Sequence, residues 1–163
     1  MEILVRKITS KSLLDLACSY TVDREVNVKN MTKMYLSEHS PIRTQMFVVE
    51  MRGIPTFVST HLVRHKFGVE HYVKSNRTDR GGDSTVDRNT PINHMMLINA
   101  QALITMARKR ICGKASLETI MAMRAIRDEI SKIDPDLAKC MVPDCEYRGD
   151  CYEFESCGYY KNR

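Results

Sequence analysis

The chain of 163 residues contains no apolar run long enough to cross a membrane. It has no long lysine–arginine block and no basic stretch interleaved with aromatic residues, which argues against a nucleic-acid coat. No internal repeat divides it, and nothing in its composition marks a second large domain. Although it holds 6 cysteines, it lacks the Cys-x-x-Cys knuckle of the usual zinc ribbon. Its N-terminus alternates like a strand, unlike a signal peptide. These absences read as a cytoplasmic protein with one main domain.

What is present suits folding around a real core. Hydrophobic residues make up 43% and charged residues 28% of the chain, which excludes a disordered tract. The net charge of +5 permits an anionic small molecule, and a nucleotide fits better than a duplex. A basic solvated surface accounts for the charge equally well.

The pattern along the chain predicts an α+β fold. Residues 2–8 read as a strand with Ile3, Val5 and Ile8 inward. Ser10 is placed to cap a helix over 11–19, built on Leu13, Leu14 and Ala17. Residues 27–36 read as a second helix, broken at His39-Ser40-Pro41. Thr44–Arg52 is a strand ended by Gly53, and Pro55 opens a helix from Thr56 to Lys66. The polar stretch after Arg77, with Gly81-Gly82, is a loop, either a lid or a plain connection. Thr90 and Pro91 then predict one helix over 91–112. Gly113 ends it, a further helix covers 114–132, and Asp134-Pro135 closes the helical region.

Phe57, His61 and Arg64 share a face of the Pro55 helix by their spacing. That helix ends in Arg64-His65-Lys66, and Ser75 and Arg77 follow closely. Two such clusters suit an anion, and a phosphate ester above all. The plainer alternative is that the basic triplet complements the negative pole of a helix dipole.

Arg64-His65-Lys66 followed by Ser75-Asn76-Arg77 resembles the signature of flavin-dependent thymidylate synthases: Arg-His-Arg, seven residues, Ser, then Arg two further on. Pro55 and Phe57 stand at that family's distance from the triplet, and His61 takes the place of a Gln. Asn99-Ala-Gln through Arg110, then Ala115-Ser-Leu-Glu118, is similar to the family's second block. This chain departs from it at Lys66, Val73, Gln101, Ser116 and Leu117, has one extra residue before Ser75, and is short between the blocks. Glu70 is a candidate stand-in for the Glu lost at Val73.

The resemblance implies a small antiparallel sheet packed with helices. It also implies transfer and reduction of a one-carbon unit onto deoxyuridine monophosphate, with FAD as cofactor and NADPH and methylenetetrahydrofolate as co-substrates. Carried over by position, Ser75 and Arg110 are catalytic; His61, Arg64, His65, Lys66 and Asn99 bind flavin; Ser75, Arg77 and Arg110 bind the nucleotide. It further implies a homotetramer in which Arg110 faces Arg64 of a neighbouring chain. The departures leave open a non-catalytic or altered-specificity pyrimidine-nucleotide-binding relative.

Residues 136–163 form a tail distinct from the domain over 1–135. Cys140, Cys145, Cys151 and Cys157 make a Cys-x4-Cys-x5-Cys-x5-Cys array among turn formers. In a cytosolic chain such thiols point to a metal, either zinc or an iron–sulfur cluster. The metal would tie down a tail with little apolar residue content of its own. A tail acting as a zinc module for nucleic acid or protein is a rival to the enzyme reading. Cys112, outside the array, reads as a packing residue.

Overall fold

The computed structural model describes residues 1–160. Four strands form one antiparallel sheet in the order β1-β2-β4-β3. They are β1 Glu2–Lys7, β2 Met46–Pro55, β3 Val69–Val73 and β4 Pro91–Asn99. Alternation drives the two central strands. Phe47, Val49 and Met51 of β2 and Ile92, His94, Met96 and Ile98 of β4 are all buried, with Val49 opposite Met96. A register shift between Met51 and Ile54 contains Gly53, whose φ of +67° suits a residue without a side chain.

Helices cover the inner face of this sheet: α3 Thr56–Leu62, α4 Ala100–Arg110 and α5 Leu117–Ile133. On α5, Ile120, Met123, Ile126 and Ile130 recur at helical spacing and are buried. Two other helices, α1 Lys11–Val22 and α2 Met31–Leu36, precede a 3₁₀ turn at Ser40–Thr44. The second starts at Asn30, whose side chain accepts from the Lys33 N–H, so the predicted helix over 27–36 is shorter. After α5 come α6 Pro135–Cys140 and α7 Asp144–Arg148.

Asp134 is the polar pin of the core. Its carboxylate accepts from Lys7 Nζ at 2.6 Å, Tyr35 Oη at 2.8 Å and the Leu137 N–H at 3.2 Å. It thereby joins β1, α2 and α6 at a buried point where each donor needs a partner. Burial, with the Asp134 charge beside it, pushes the Tyr35 hydroxyl well above its ordinary pKa.

Two expected helices are corrected. Residues 91–99 are a strand, and the helix starts only at Ala100, capped by Asn99 rather than Thr90. Met95 and Leu97, on the outer face of β4, are apolar and half-buried, while the inner position 94 is a histidine. That inversion hides the alternation and mimics a helical stripe. The Pro55 helix ends at Leu62, so Arg64, His65 and Lys66 lie in the turn beyond it. Gly68, at φ +73°, completes that turn.

Candidate anion-binding site

The turn after α3 is held from three sides. His71 Nε2, on β3, lies 2.8 Å from the His65 carbonyl oxygen. Arg110 Nε, in the last turn of α4, donates to His65 Nε2 at 3.0 Å. The Asn99 N–H donates to the Gly68 carbonyl at 2.9 Å, and the Asn99 side chain caps α4 through the Ala102 N–H. A Cβ at Gly68 would stand 2.5 Å from Asn99 Nδ2, so the close approach of loop and cap requires glycine.

Cations gather at this turn without carboxylate partners. Arg64 and Lys66 are exposed, and Arg110 is half-buried. Arg88 stacks over Phe57 at 4.8 Å, and Phe57 meets His61 edge-on at 5.6 Å. Among the described residues, no salt bridge engages Arg64, Lys66, Arg88 or Arg110. Their mutual field is visible in the imidazoles. Burial, reinforced by Arg110, Arg64 and Arg88, lowers the His61 pKa. Burial, with Arg110 and His71 beside it, holds His65 down to about 4. Burial and the Arg64 charge also lower the Arg110 pKa. At neutral pH His65 is uncharged and, because Nε2 accepts from Arg110, its proton sits on Nδ1.

Behind the turn lies a file of hydrogen bonds absent from the sequence reading. Ser59 Oγ lies 3.0 Å from His94 Nδ1, and His94 Nε2 lies 3.0 Å from His71 Nδ1. A carbonyl can only accept, so His71 Nε2 carries a proton and donates to His65 O. In the neutral ring, His71 Nδ1 then accepts from His94 Nε2–H, and His94 Nδ1 accepts from the Ser59 hydroxyl. Burial, with His71 beside it, lowers the His94 pKa to about 4, which fits this neutral form.

Of the expected site residues, His61, Arg64, His65 and Arg110 are brought together. The interaction of Arg110 with His65, and its electrostatic coupling to Arg64, are made inside one chain. Lys66 shares the same turn. Asn99 is engaged as the cap of α4. Arg77 is not free: it makes a two-pronged ion pair with Asp79, at 2.9 and 2.7 Å, and its N–H approaches Ser75 Oγ at 3.3 Å. The loop folds back tightly there, since a Cβ at Gly82 would lie 2.3 Å from the Asn76 backbone. At its far end, the Arg88 and Thr90 carbonyls accept from the first N–H groups of α3. That anchoring delivers Arg88 to Phe57, a placement no local spacing announces. His94 was legible in principle, as one of four alternating inward positions on β4.

No known family profile matches the chain, and no curated protein matches it. Solved structures do. A thymidylate synthase X from Helicobacter pylori, with FAD and dUMP, superposes with a TM-score of 0.71 at 14% identity, covering 86% of this chain and 99% of that one. The fold is that of the flavin-dependent thymidylate synthases. A second Helicobacter pylori structure, also complexed with FAD and dUMP, gives 0.71 at 12% identity over 87% and 100% of the two chains. The UMP/dUMP methylase PolB from Streptomyces cacaoi, bound with 5-Br dUMP, gives 0.65 at 14% identity over 85% and 94%. On this thymidylate-synthase-type fold the unpaired cations lie on the turn between α3 and β3, against the end of α4.

The tail differs from its expected arrangement. Cys140 lies in α6 at 4% exposure, its thiol directed at the Asp136 and Thr32 carbonyls. Burial, with Asp136 and Asp134 nearby, raises that thiol to about 11, as in a small packing residue. Among the described residues, no three His, Cys, Asp or Glu side chains converge on a single metal ion. Cys140 thus lies apart from the other tail thiols, packed between α6 and α2.

Proposed function

We propose that this chain is a flavin-dependent thymidylate synthase-like enzyme that binds FAD and deoxyuridine monophosphate and moves and reduces a one-carbon unit onto the pyrimidine. The observation that carries this reading is the group of cations at Arg64, Lys66, Arg88 and Arg110, with no salt-bridge partner among the described residues, around neutral His61 and His65. Cations gathered on one turn without carboxylates among their salt bridges leave their donors available to an anion, and charge-assisted bonds to phosphate are the strong kind. The donor set fits phosphate groups of a nucleotide and of FAD. When bound, FAD supplies hydride chemistry that no side chain here can provide.

In this reading Arg110 grips the substrate phosphate through its outer guanidinium nitrogens while Nε stays on His65. Arg64 and Lys66 face the flavin phosphates, with His61, His65 and Asn99 completing that side. Phe57 under Arg88 offers a flat apolar surface next to the charges. Ser75 and Arg77 join the nucleotide when Asp79 releases Arg77. NADPH and methylenetetrahydrofolate are the co-substrates. The protein acts as a homotetramer, and the half-covered Leu4, Val48 and Leu97 on the outer sheet face offer it apolar surface.

The test is equilibrium dialysis of the full chain with FAD and dUMP, followed by turnover with NADPH and methylenetetrahydrofolate. Thymidylate formation supports the enzyme. Nucleotide binding without it favours the second reading, an altered-specificity or non-catalytic relative, which the Arg77–Asp79 ion pair and Lys66 suggest. Absence of binding by either ligand refutes both.

A further inference from the structure

The tail from Met141 onward has few apolar residues to bury. Tyr147, Tyr152, Phe154 and Tyr159 are all exposed, and α7 is its only regular element among the described residues. It wraps the end of α4 and the turn after it. Arg108 stacks on Tyr147 at 3.4 Å, Lys109 meets Glu153 at 3.1 Å and Lys114 meets Glu155 at 3.5 Å. Ion pairs as exposed as the last two stabilise little, on the order of 0–1 kcal/mol each. Something else must hold this segment down.

Between the tail and the turn lies a cavity of about 310 Å³, and four cysteines line it: Cys112, Cys145, Cys151 and Cys157. Cys140 is not among them. The first thiol comes from the turn after α4, and the other three come from the tail at intervals of six residues. Cys157 packs so closely on the turn that a Cβ at Gly113 would lie 3.1 Å from its sulfur. Gly113 thus leaves room for the last thiol beside the first. None of the four is in a disulfide.

We propose that Cys112, Cys145, Cys151 and Cys157 hold an iron–sulfur cluster of the four-iron, four-sulfide type in this cavity. Four thiolates around one zinc ion must stand about 3.8 Å apart, as Zn–S bonds of about 2.3 Å in a tetrahedron dictate. Here the described side chains do not converge on one point, and they ring a space many times the size of an ion. A cubane of iron and sulfide puts its four thiolate ligands on the corners of a larger tetrahedron, which suits thiols that line one cavity without meeting at a single point. Four thiolates on a dipositive core leave a net dinegative unit. The cavity wall carries Lys114, Arg124 and Arg127 beside Asp144, Glu146 and Glu153, so its cations and carboxylates balance and Arg124 is the cation nearest to spare. Arg124 forms no salt bridge among the described residues. The cluster would replace the missing apolar core of the tail by covalent cross-links between the tail and the end of α4.

The experiment uses the full chain produced and purified without oxygen, analysed for iron, acid-labile sulfide and zinc, with electron paramagnetic resonance after reduction. The expected content is about four irons and four sulfides per chain. Cys112→Ala should lower it several-fold, whereas Cys140→Ala should leave it unchanged. Independently of any variant, alkylation of the native protein followed by mass spectrometry should find Cys112, Cys145, Cys151 and Cys157 protected together. All four should become labelled after chelation and oxidation. One zinc per chain without sulfide would overturn the proposal. So would loss of iron in Cys140→Ala with retention in Cys112→Ala, or free alkylation of the tail thiols in the protein as purified without oxygen.

Discussion

The neutral histidines behind the turn make stability depend on pH in a window that carboxylates do not share. His94 is 2% exposed, with its pKa lowered from 6.5 to about 4. A histidine depressed on folding costs the native state nothing while it is neutral in both states, and destabilises it once the unfolded chain can be protonated. As pH falls through 6.5 the unfolded chain takes up a proton that the folded chain refuses, so stability falls with pH until about 4 is reached. At pH 5 the unfolded imidazole is almost wholly protonated and the folded one about a tenth protonated. The difference amounts to about 2 kcal/mol from His94 alone. His65, also lowered to about 4, acts in the same direction, discounted for its partial exposure. Urea titrations at intervals from pH 6.5 to pH 5 would read the slope. His94→Gln keeps an amide able to bond Ser59 and His71 but takes up no proton there. Its stability should fall less steeply, by up to about 1.4 kcal/mol per pH unit. A wild-type stability flat over that window, or an unchanged slope in His94→Gln, would refute the reasoning.

Three variants test the rest of the geometry. Arg110→Ala removes a charge-assisted donor and should weaken dUMP binding about ten- to a hundredfold, measured by calorimetry. The same variant should raise the His65 pKa, seen by NMR titration, because Arg110 is one of the charges that depress it. Gly68→Ala should destabilise the protein by about 1–3 kcal/mol in thermal unfolding, since it combines a positive φ with a Cβ 2.5 Å from Asn99. Asp134→Ala strands a half-buried lysine and a buried tyrosine hydroxyl and should cost about 3 kcal/mol in urea unfolding.

The parts legible in the sequence were those written in local pattern. Strand β2 and helix α5 follow from alternation and helical spacing, whereas the Pro55 helix stops at Leu62, four residues short of the Lys66 that the pattern gave it. The resemblance added the fold; it set Arg110 against the turn of a neighbouring chain, and the contact between Arg110 and His65 is made within one chain. What stayed hidden depends on contacts across the chain. A polar residue faces inward at position 94 and apolar ones face outward at 95 and 97, so β4 reads as helix. Arg88 reaches Phe57 because a loop is tied to the start of α3. Cys112 replaces Cys140 at the cavity because α6 turns its cysteine toward α2. Sequence spacing cannot show either rotation.

Helix α4 touches the turn between α3 and β3 at both of its own ends. Asn99, before its first residue, meets Gly68, and Arg110, its last, meets His65. Eleven residues of helix make a rod about 16 Å long, and the four residues from His65 to Gly68 are tied to it at both ends, through the Arg110 side chain at one and the Asn99 N–H at the other. Any closing motion over a ligand must carry helix and strip together, and the helix leads directly into Cys112. Loosening the anchor at that end would therefore slacken the strip that carries Lys66, without touching a single residue of it.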